Sequence, residues 1–274
     1  MFLLALSPCC FTLERNLAVT SRKGKGISIK DIKVVSPSRL LVTDFDNQKI
    51  KMLDSANGRV LSTVSVPGMP RRICILRDGR VAVALTDVNK IQFICINGDT
   101  LSLDGSIDVR DNPMSLSAFD HNRLVVSYEG SGRIEMITME GRVVHDMDNE
   151  TAGQELFIVP NYITILNNAD IFISDWGTAT ITQMDGSLCI KQTFTSPMLT
   201  RPLGIVSLSS NQLLVADQRS HSIVVLNPTS GTVTPVLGPS DGIQEPLALA
   251  WCSASNKLYV GGCWEIKTVS VYSV

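Results

Sequence analysis

Leu213-Leu214-Val215-Ala216-Asp217, then a polar break from Gln218 to Ser222, then Ile223-Val224-Val225-Leu226 is the stretch that decides the fold. Alone it reads as two adjacent β-strands, an apolar run on either side of a turn. Its weight comes from repetition. The first residues of six such apolar runs are Leu40, Val81, Leu124, Ile171, Leu213 and Leu258, spaced 41 to 47 residues apart. Ten residues past these anchors stand Ile50, Ile91, Ile134, Ile181, Ile223 and Thr268. Eleven residues before them stand Pro70, Pro113, Pro160 and Pro202, with Pro246 one position further back in the last unit and Ile29 in the first.

Each unit therefore reads as four short strands. The first opens after the proline, whose missing N–H need not join a ladder. A tight turn such as Arg77-Asp78-Gly79-Arg80 leads to the anchor strand, continuously apolar and so expected to be buried on both faces. The third strand alternates, as in Lys49-Ile50-Lys51-Met52-Leu53, and a turn carrying Gly58, Gly98, Gly141, Gly186 or Gly231 precedes a fourth, less regular one. Four strands in about 40–45 residues, repeated, predict an all-β fold, a six-bladed β-propeller of four-stranded antiparallel blades.

The predicted organisation is a single domain over 1–274. It has a short tail at 1–10, a closing strand at 11–19, and blades at about 27–67, 68–109, 110–153, 154–199, 200–242 and 243–274. The last unit runs out after Val269-Ser270-Val271-Tyr272, so the N-terminal strand is expected to complete it and close the ring, which otherwise exposes unpaired strand edges.

Composition bounds the function. The chain has 24 basic and 26 acidic side chains, without the basic excess of a nucleic-acid-binding domain. Seven cysteines without a CxxC pair point to a reduced, cytoplasmic setting and away from zinc. Cys252 and Cys263 flank one hairpin and could meet, but that setting argues against a disulfide. Met1 to Leu6 is apolar but ends at Pro8, too short for a membrane span and without the basic start of a signal peptide, so no membrane partner is expected. His121, His145 and His221 show no ligand spacing, and neither a metal nor another cofactor is expected.

Pro202-Leu203-Gly204-Ile205, Leu214-Val215-Ala216-Asp217 and Ser222-Ile223 resemble the NHL repeat. Leu41-Val42-Thr43-Asp44 with Asn47 to Lys51, and Ile173-Ser174-Asp175, match next. The second, third and sixth units depart, with Leu85, Tyr128 and Gly262 at the place of the Asp. Over essentially the whole chain the wording is similar to the C-terminal propellers of tripartite-motif (TRIM) proteins. That resemblance implies a module selecting a partner for ubiquitin transfer, with any ligase activity supplied from outside this stretch.

In a propeller, the loops leading into the first strands and those joining second to third strands share one face. The partner-binding rim expected there comprises Phe45, Asp46, Arg71, Arg72, Tyr128, Glu129, Trp176, Arg201, Arg219 and Trp264, since aromatics and Arg mark interface centres. Asp44, Asp175 and Asp217 are read as structural turn residues, and His221 near Asp217 as a solvent-facing pair. The expectation is a non-catalytic platform for a protein or peptide partner, with the oligomeric state left open. Two alternatives stand beside it. One is a single-stranded-RNA-binding NHL propeller, disfavoured because the basic residues are dispersed apart from Arg71-Arg72 and Arg22 to Lys25. The other is a metal-dependent lactonase- or lyase-like propeller enzyme, for which the innermost strands offer only Asp31, Asn161 and Tyr162 as polar groups.

Overall fold

The structure is a computed structural model and describes residues 11–19, 27–147, 156–262 and 268–274. Strand β1 (Thr12–Ala18) comes first and is set aside from those that follow it. Blade one is β2 (Ile32–Ser36), β3 (Arg39–Asp44), β4 (Lys49–Asp54) and β5 (Val60–Ser65). Blade two is β6 (Pro70–Ile75), β7 (Val81–Leu85), β8 (Lys90–Asn97) and β9 (Thr100–Asp108). Blade three is β10 (Pro113–Ala118), β11 (Arg123–Tyr128), β12 (Ile134–Thr138) and β13 (Val143–Met147). Blade four is β14 (Pro160–Ile165), β15 (Ile171–Asp175), β16 (Thr180–Met184) and β17 (Ile190–Phe194). Blade five is β18 (Pro202–Ser209), β19 (Gln212–Asp217), β20 (Ser222–Leu226) and β21 (Val233–Leu237).

Blade six is made by both ends of the chain. It joins β22 (Pro246–Cys252), β23 (Lys257–Gly262) and β24 (Thr268–Ser273) to β1, with Thr12 opposite Ser273 and Leu17 opposite Val269. The chain is thus an all-β, six-bladed propeller closed by its N-terminal strand. Cys74, Cys95, Cys189 and Cys252 are free thiols, whereas Cys263 lies outside the described residues. Among the described residues no helix is long and apolar enough to cross a membrane.

The anchor runs owe their burial to this radial packing. Each blade is covered on both faces by a neighbour, so a strand such as Val81–Leu85 has no solvent side and every residue of it is buried. Six apolar clusters result, each shared chiefly by two adjacent blades. Val125, Ile134 and Met136 of blade three, for example, meet Phe157, Ile163 and Ile171 of blade four. Leu17 and Val269 of the closing blade meet Ile32 and Leu40 of blade one.

Polar staples complete the joints. The hydroxyls of Thr86, Ser127 and Ser174 donate to the carbonyls of Pro113 (3.0 Å), Pro160 (2.9 Å) and Leu203 (2.6 Å) in the next blade. Buried carbonyls at the start of these inner strands are satisfied in this way.

One turn differs from expectation. In blade four Leu188, not Gly186, takes the left-handed conformation, with φ 62°. Gly186 is small for another reason: a Cβ there would lie 2.7 Å from the Phe119 ring of blade three.

Candidate functional site

The rim is knitted by backbone bonds that tie each loop leading into a blade to the loop joining its second and third strands. Phe45 N–H donates to Ser28 (2.9 Å), Thr86 to Met69 (3.2 Å), Glu129 to Asn112 (2.9 Å) and Gln218 to Arg201 (3.1 Å). At the end of the anchor strand a buried carboxylate locks the same pair of loops. Asp175 accepts the N–H groups of Ile158 (2.7 Å), Val159 (3.0 Å) and Gly177 (2.7 Å). Asp217 accepts those of Thr200 (2.6 Å), Arg201 (2.8 Å) and Ser220 (3.0 Å), together with the Thr200 and Ser220 hydroxyls. Burial pushes the Asp217 carboxyl up, but the bonds from Thr200, Arg201 and Ser220 outweigh it and hold the group below its ordinary value. Asp44 accepts from Asn47 (2.7 Å) and pairs with the buried Lys51 ammonium at 2.6 Å. Blade two has Leu85 in this slot, and Asp87 takes over the role by accepting Met69 N–H at 2.5 Å.

The structure separates the ten residues expected to form one binding rim. Tyr128 does not reach the surface; it fills the Asp slot of blade three, fully buried, with its hydroxyl donating to Glu135 at 2.7 Å. Burial, and then that bond, raise its pKa above the ordinary tyrosine value. Arg72 is likewise no rim residue. It is buried on β6 and points into the central channel, where its guanidinium donates to the carbonyls of Lys30 (2.7 Å) and Asn161 (3.3 Å). Arg71 and Glu129 pair with each other at 3.1 Å between blades two and three. Phe45 is half-buried with the Lys30 ammonium 5.4 Å from its ring centroid, and Asp46 is exposed beside it. Trp264 lies outside the described residues.

Three of the ten do converge. Trp176, Arg201 and Arg219 line a cleft of about 400 Å³ with Thr200, Gln218, His221 and Glu245. Its walls come from the rim loops of blades four, five and six. Arg201 stacks over Trp176, its guanidinium carbon 4.3 Å from the ring centroid, which holds a cation against the wall.

His221 does not pair with Asp217. Its Nδ1 accepts the backbone N–H of Glu245 at 3.0 Å, across the joint between blades five and six. A ring nitrogen that accepts an N–H carries a lone pair, so the neutral imidazole bears its proton on Nε2. His221 also adopts φ 53°, a conformation histidine tolerates better than most residues, where the chain turns sharply into β20. Thr200, Gln218, His221 and Glu245 were not among the ten rim residues read from the sequence, although Gln218, His221 and Glu245 stand in the two kinds of loop that the sequence places on this face.

Neither site fits a divalent metal. Among the described residues no three His, Cys, Asp or Glu side chains come together. In the channel, Asp31 spends both oxygens on the N–H groups of Ile32 (2.9 Å) and Ile73 (2.8 Å), and the adjoining Arg72 already supplies positive charge.

No protein-family model matches the chain, and no curated protein sequence matches it. Among solved structures it is similar to one described as a streptogramin B lyase, with TM-score 0.72, 13% identity, and 96% of this chain and 97% of that chain covered. It is also similar to a catalytically inactive His-to-Ala variant of virginiamycin B lyase from Staphylococcus aureus with quinupristin (TM-score 0.68, 16% identity, coverage 96% and 99%). A third is the β-propeller domain of Myceliophteria thermophila Cps50 (Swd1), with TM-score 0.66, 11% identity, and coverage 90% and 82%. At these identities the likeness is one of fold. It corrects the expectation of a non-catalytic platform for a protein or peptide. The architecture is shared along nearly the whole chain with propellers that are enzymes, and the rim aromatics on which that expectation leaned are in part buried.

Proposed function

We propose that the chain is an enzymatic propeller of the lyase kind, acting on a small molecule in the cleft between blades four and six. The observation that carries this reading is the bond from Glu245 N–H to His221 Nδ1. It leaves Nε2 as the ring's donor in a cleft that also holds one carboxylate and two guanidinium groups. A fixed donor beside cations and a base is what elimination next to a carbonyl requires.

In that reaction the Glu245 carboxylate takes the proton from the carbon adjoining the substrate carbonyl. The C–H electron pair becomes the new C=C bond as the bond from the next carbon to its leaving oxygen breaks. His221 Nε2–H and Arg219 stabilise the charge that gathers on the carbonyl oxygen, and the protonated Glu245 returns its proton to the departing oxygen. No water is added to either product in this sequence. The NHL-like wording of the repeats concerns how the blades are built, and the chemistry belongs to the cleft.

The test is incubation with quinupristin and with simple O-acylated N-acylserine esters, followed by mass spectrometry. Elimination gives products whose masses sum to that of the substrate, without an added water. Glu245→Gln should lower the rate about 10²–10⁴-fold. His221→Asn, which suits the same backbone turn, should lower it while leaving the melting temperature in place. No elimination from any of these compounds, or a Glu245→Gln protein as active as the native one, rules the reading out.

A further inference from the structure

We infer that His221 is a proton-operated latch on the cleft: its Nδ1 holds Glu245 in a strained backbone, and a proton on that nitrogen lets Glu245 go. This regulation presumes the cleft to be the ligand site, as proposed above. Five strands, β6, β10, β14, β18 and β22, open on a proline. The residues before those prolines are Met69, Asn112, Val159, Arg201 and Glu245, and of these five only Glu245 has a positive φ, 40°. Two preferences are broken there at once. Left-handed backbone suits glycine and, less well, Asn, Asp or His, and the ring of a following proline pushes a residue toward extended φ. Such a conformation persists where its surroundings hold it. Met69, Asn112 and Arg201 are held through their carbonyls, by the N–H groups of Thr86, Glu129 and Gln218 in their own blades. Glu245 is held through its N–H from the preceding blade, by His221 Nδ1 at 3.0 Å.

The His221 turn itself belongs to the repeat. Gln48, Asn89 and Ala179 also stand one residue before a third strand, with φ of 52°, 51° and 57°. The turn aims the side chain, and the side chain carries the link to blade six. That link needs a lone pair on Nδ1, and a protonated imidazole has none, since both nitrogens then carry N–H. Glu245 N–H would face another donor, and residue 245 relaxes to the extended backbone that Pro246 favours. Its Cβ then swings and takes the carboxylate with it. The other charged side chains lining the cleft are Arg201, on the loop into β18, and Arg219, on the same loop as His221. Asp217, at the end of β19, spends both oxygens on Thr200, Arg201 and Ser220, so Glu245 is the one carboxylate of the cleft that a change at the ring sets free.

The test is NMR on the full chain without ligand, from about pH 8 to about pH 5, reading the His221 ring and the amide, Cα and Cβ of residue 245. All should move in one transition with a shared midpoint, and the Cα and Cβ shifts should pass from left-handed to extended values. In Glu245→Gln, which removes that residue's own titration, the amide should still follow the ring. In His221→Asn the side-chain carbonyl replaces Nδ1 and gains no proton, so Glu245 should keep its native high-pH shifts throughout. In His221→Ala it should show the native low-pH shifts at every pH. A ring that does not titrate over this range overturns the inference. So do Glu245 Cα and Cβ shifts that stay left-handed while the ring titrates, or a His221→Asn protein that behaves like the native one. The native titration needs no substitution, so it decides even where a variant fails to fold. A working latch in a protein that gives no elimination removes the lyase reading alone. Elimination by a protein whose residue 245 does not move removes the latch alone.

Discussion

Arg72 lies face-on over the ring of Tyr162, its guanidinium carbon 3.6 Å from the ring centroid, although the two residues belong to blades two and four. Both reach the same carbonyl of blade one, Arg72 Nη1 and the Tyr162 hydroxyl each donating to Lys30 at 2.7 Å. Three blades that share no strand pairing are thereby joined across the channel. The charge sits among carbonyl oxygens and an aromatic face, which together replace the water it has lost.

Arg72→Ala therefore removes a stacked cation and leaves the Lys30 and Asn161 carbonyls with fewer donors. The expected loss is about 3 kcal/mol or more, a fall in Tm of about 6–12 °C for a chain of this size. Differential scanning calorimetry checks it. An unchanged Tm would mean that the channel contacts contribute nothing to holding the ring.

Asp217 predicts a pH dependence. Its folded pKa lies below the ordinary 3.8, so the stability it contributes is complete above the unfolded pKa and is lost as pH falls through the folded one. Asp217→Asn should cost about 1–3 kcal/mol at neutral pH, and the gap to the native protein should close toward about pH 3 or lower. Urea unfolding at both ends of that range measures the gap. A difference that stays constant with pH contradicts the linkage.

Gly204 lies on the inner strand of blade five, packed against the backbone of the inner strand of blade six. A Cβ there would lie 2.5 Å from the Leu247 carbonyl oxygen and 3.1 Å from Leu249 N, both backbone atoms that cannot swing aside. Gly204→Ala is expected to destabilise by about 1–3 kcal/mol through this overlap. Thermal melting beside Gly105→Ala, where the added Cβ meets nothing within 4 Å, separates crowding from any general effect of losing a glycine.

Ring closure can be weighed at Leu17, buried at 2% exposure between blade one and the closing blade. Leu17→Ala should cost about 2–5 kcal/mol. Leu13→Ala on the same strand, where the side chain is 42% exposed, should stay within about 0.5 kcal/mol of the native protein. Equal effects at the two positions would mean that β1 is not seated as the sixth blade's outer strand.

Much of the site was legible once the repeat is taken as a ruler. Tyr128 stands four residues after its anchor, as Asp44, Asp175 and Asp217 do, and inherits their buried slot, whereas Phe45 and Trp176 stand five after theirs. A single step along a strand moves a side chain to the opposite face, so those aromatics never formed one class. Arg72 stands two residues after its proline, as Tyr162 does, and both therefore enter the channel. Their charge and aromaticity suggested a surface; their register placed them inside.

The sequence by itself determined what is local and repeated: six units, the order of four strands in each, the buried anchor runs, and the need of the last unit for the N-terminal strand. These follow from turn chemistry and from apolar side chains recurring at strand spacing, both written within each unit. Only the tertiary structure decided that Trp176, Arg201, Gln218, His221 and Glu245, spread over loops of three blades, share one cleft. The bond from Glu245 N–H to His221 crosses 24 positions, and the one joining Tyr162 to Lys30 crosses 132. Such contacts depend on how blades sit against one another around the ring, and that placement is set by packing, which residue spacing does not encode.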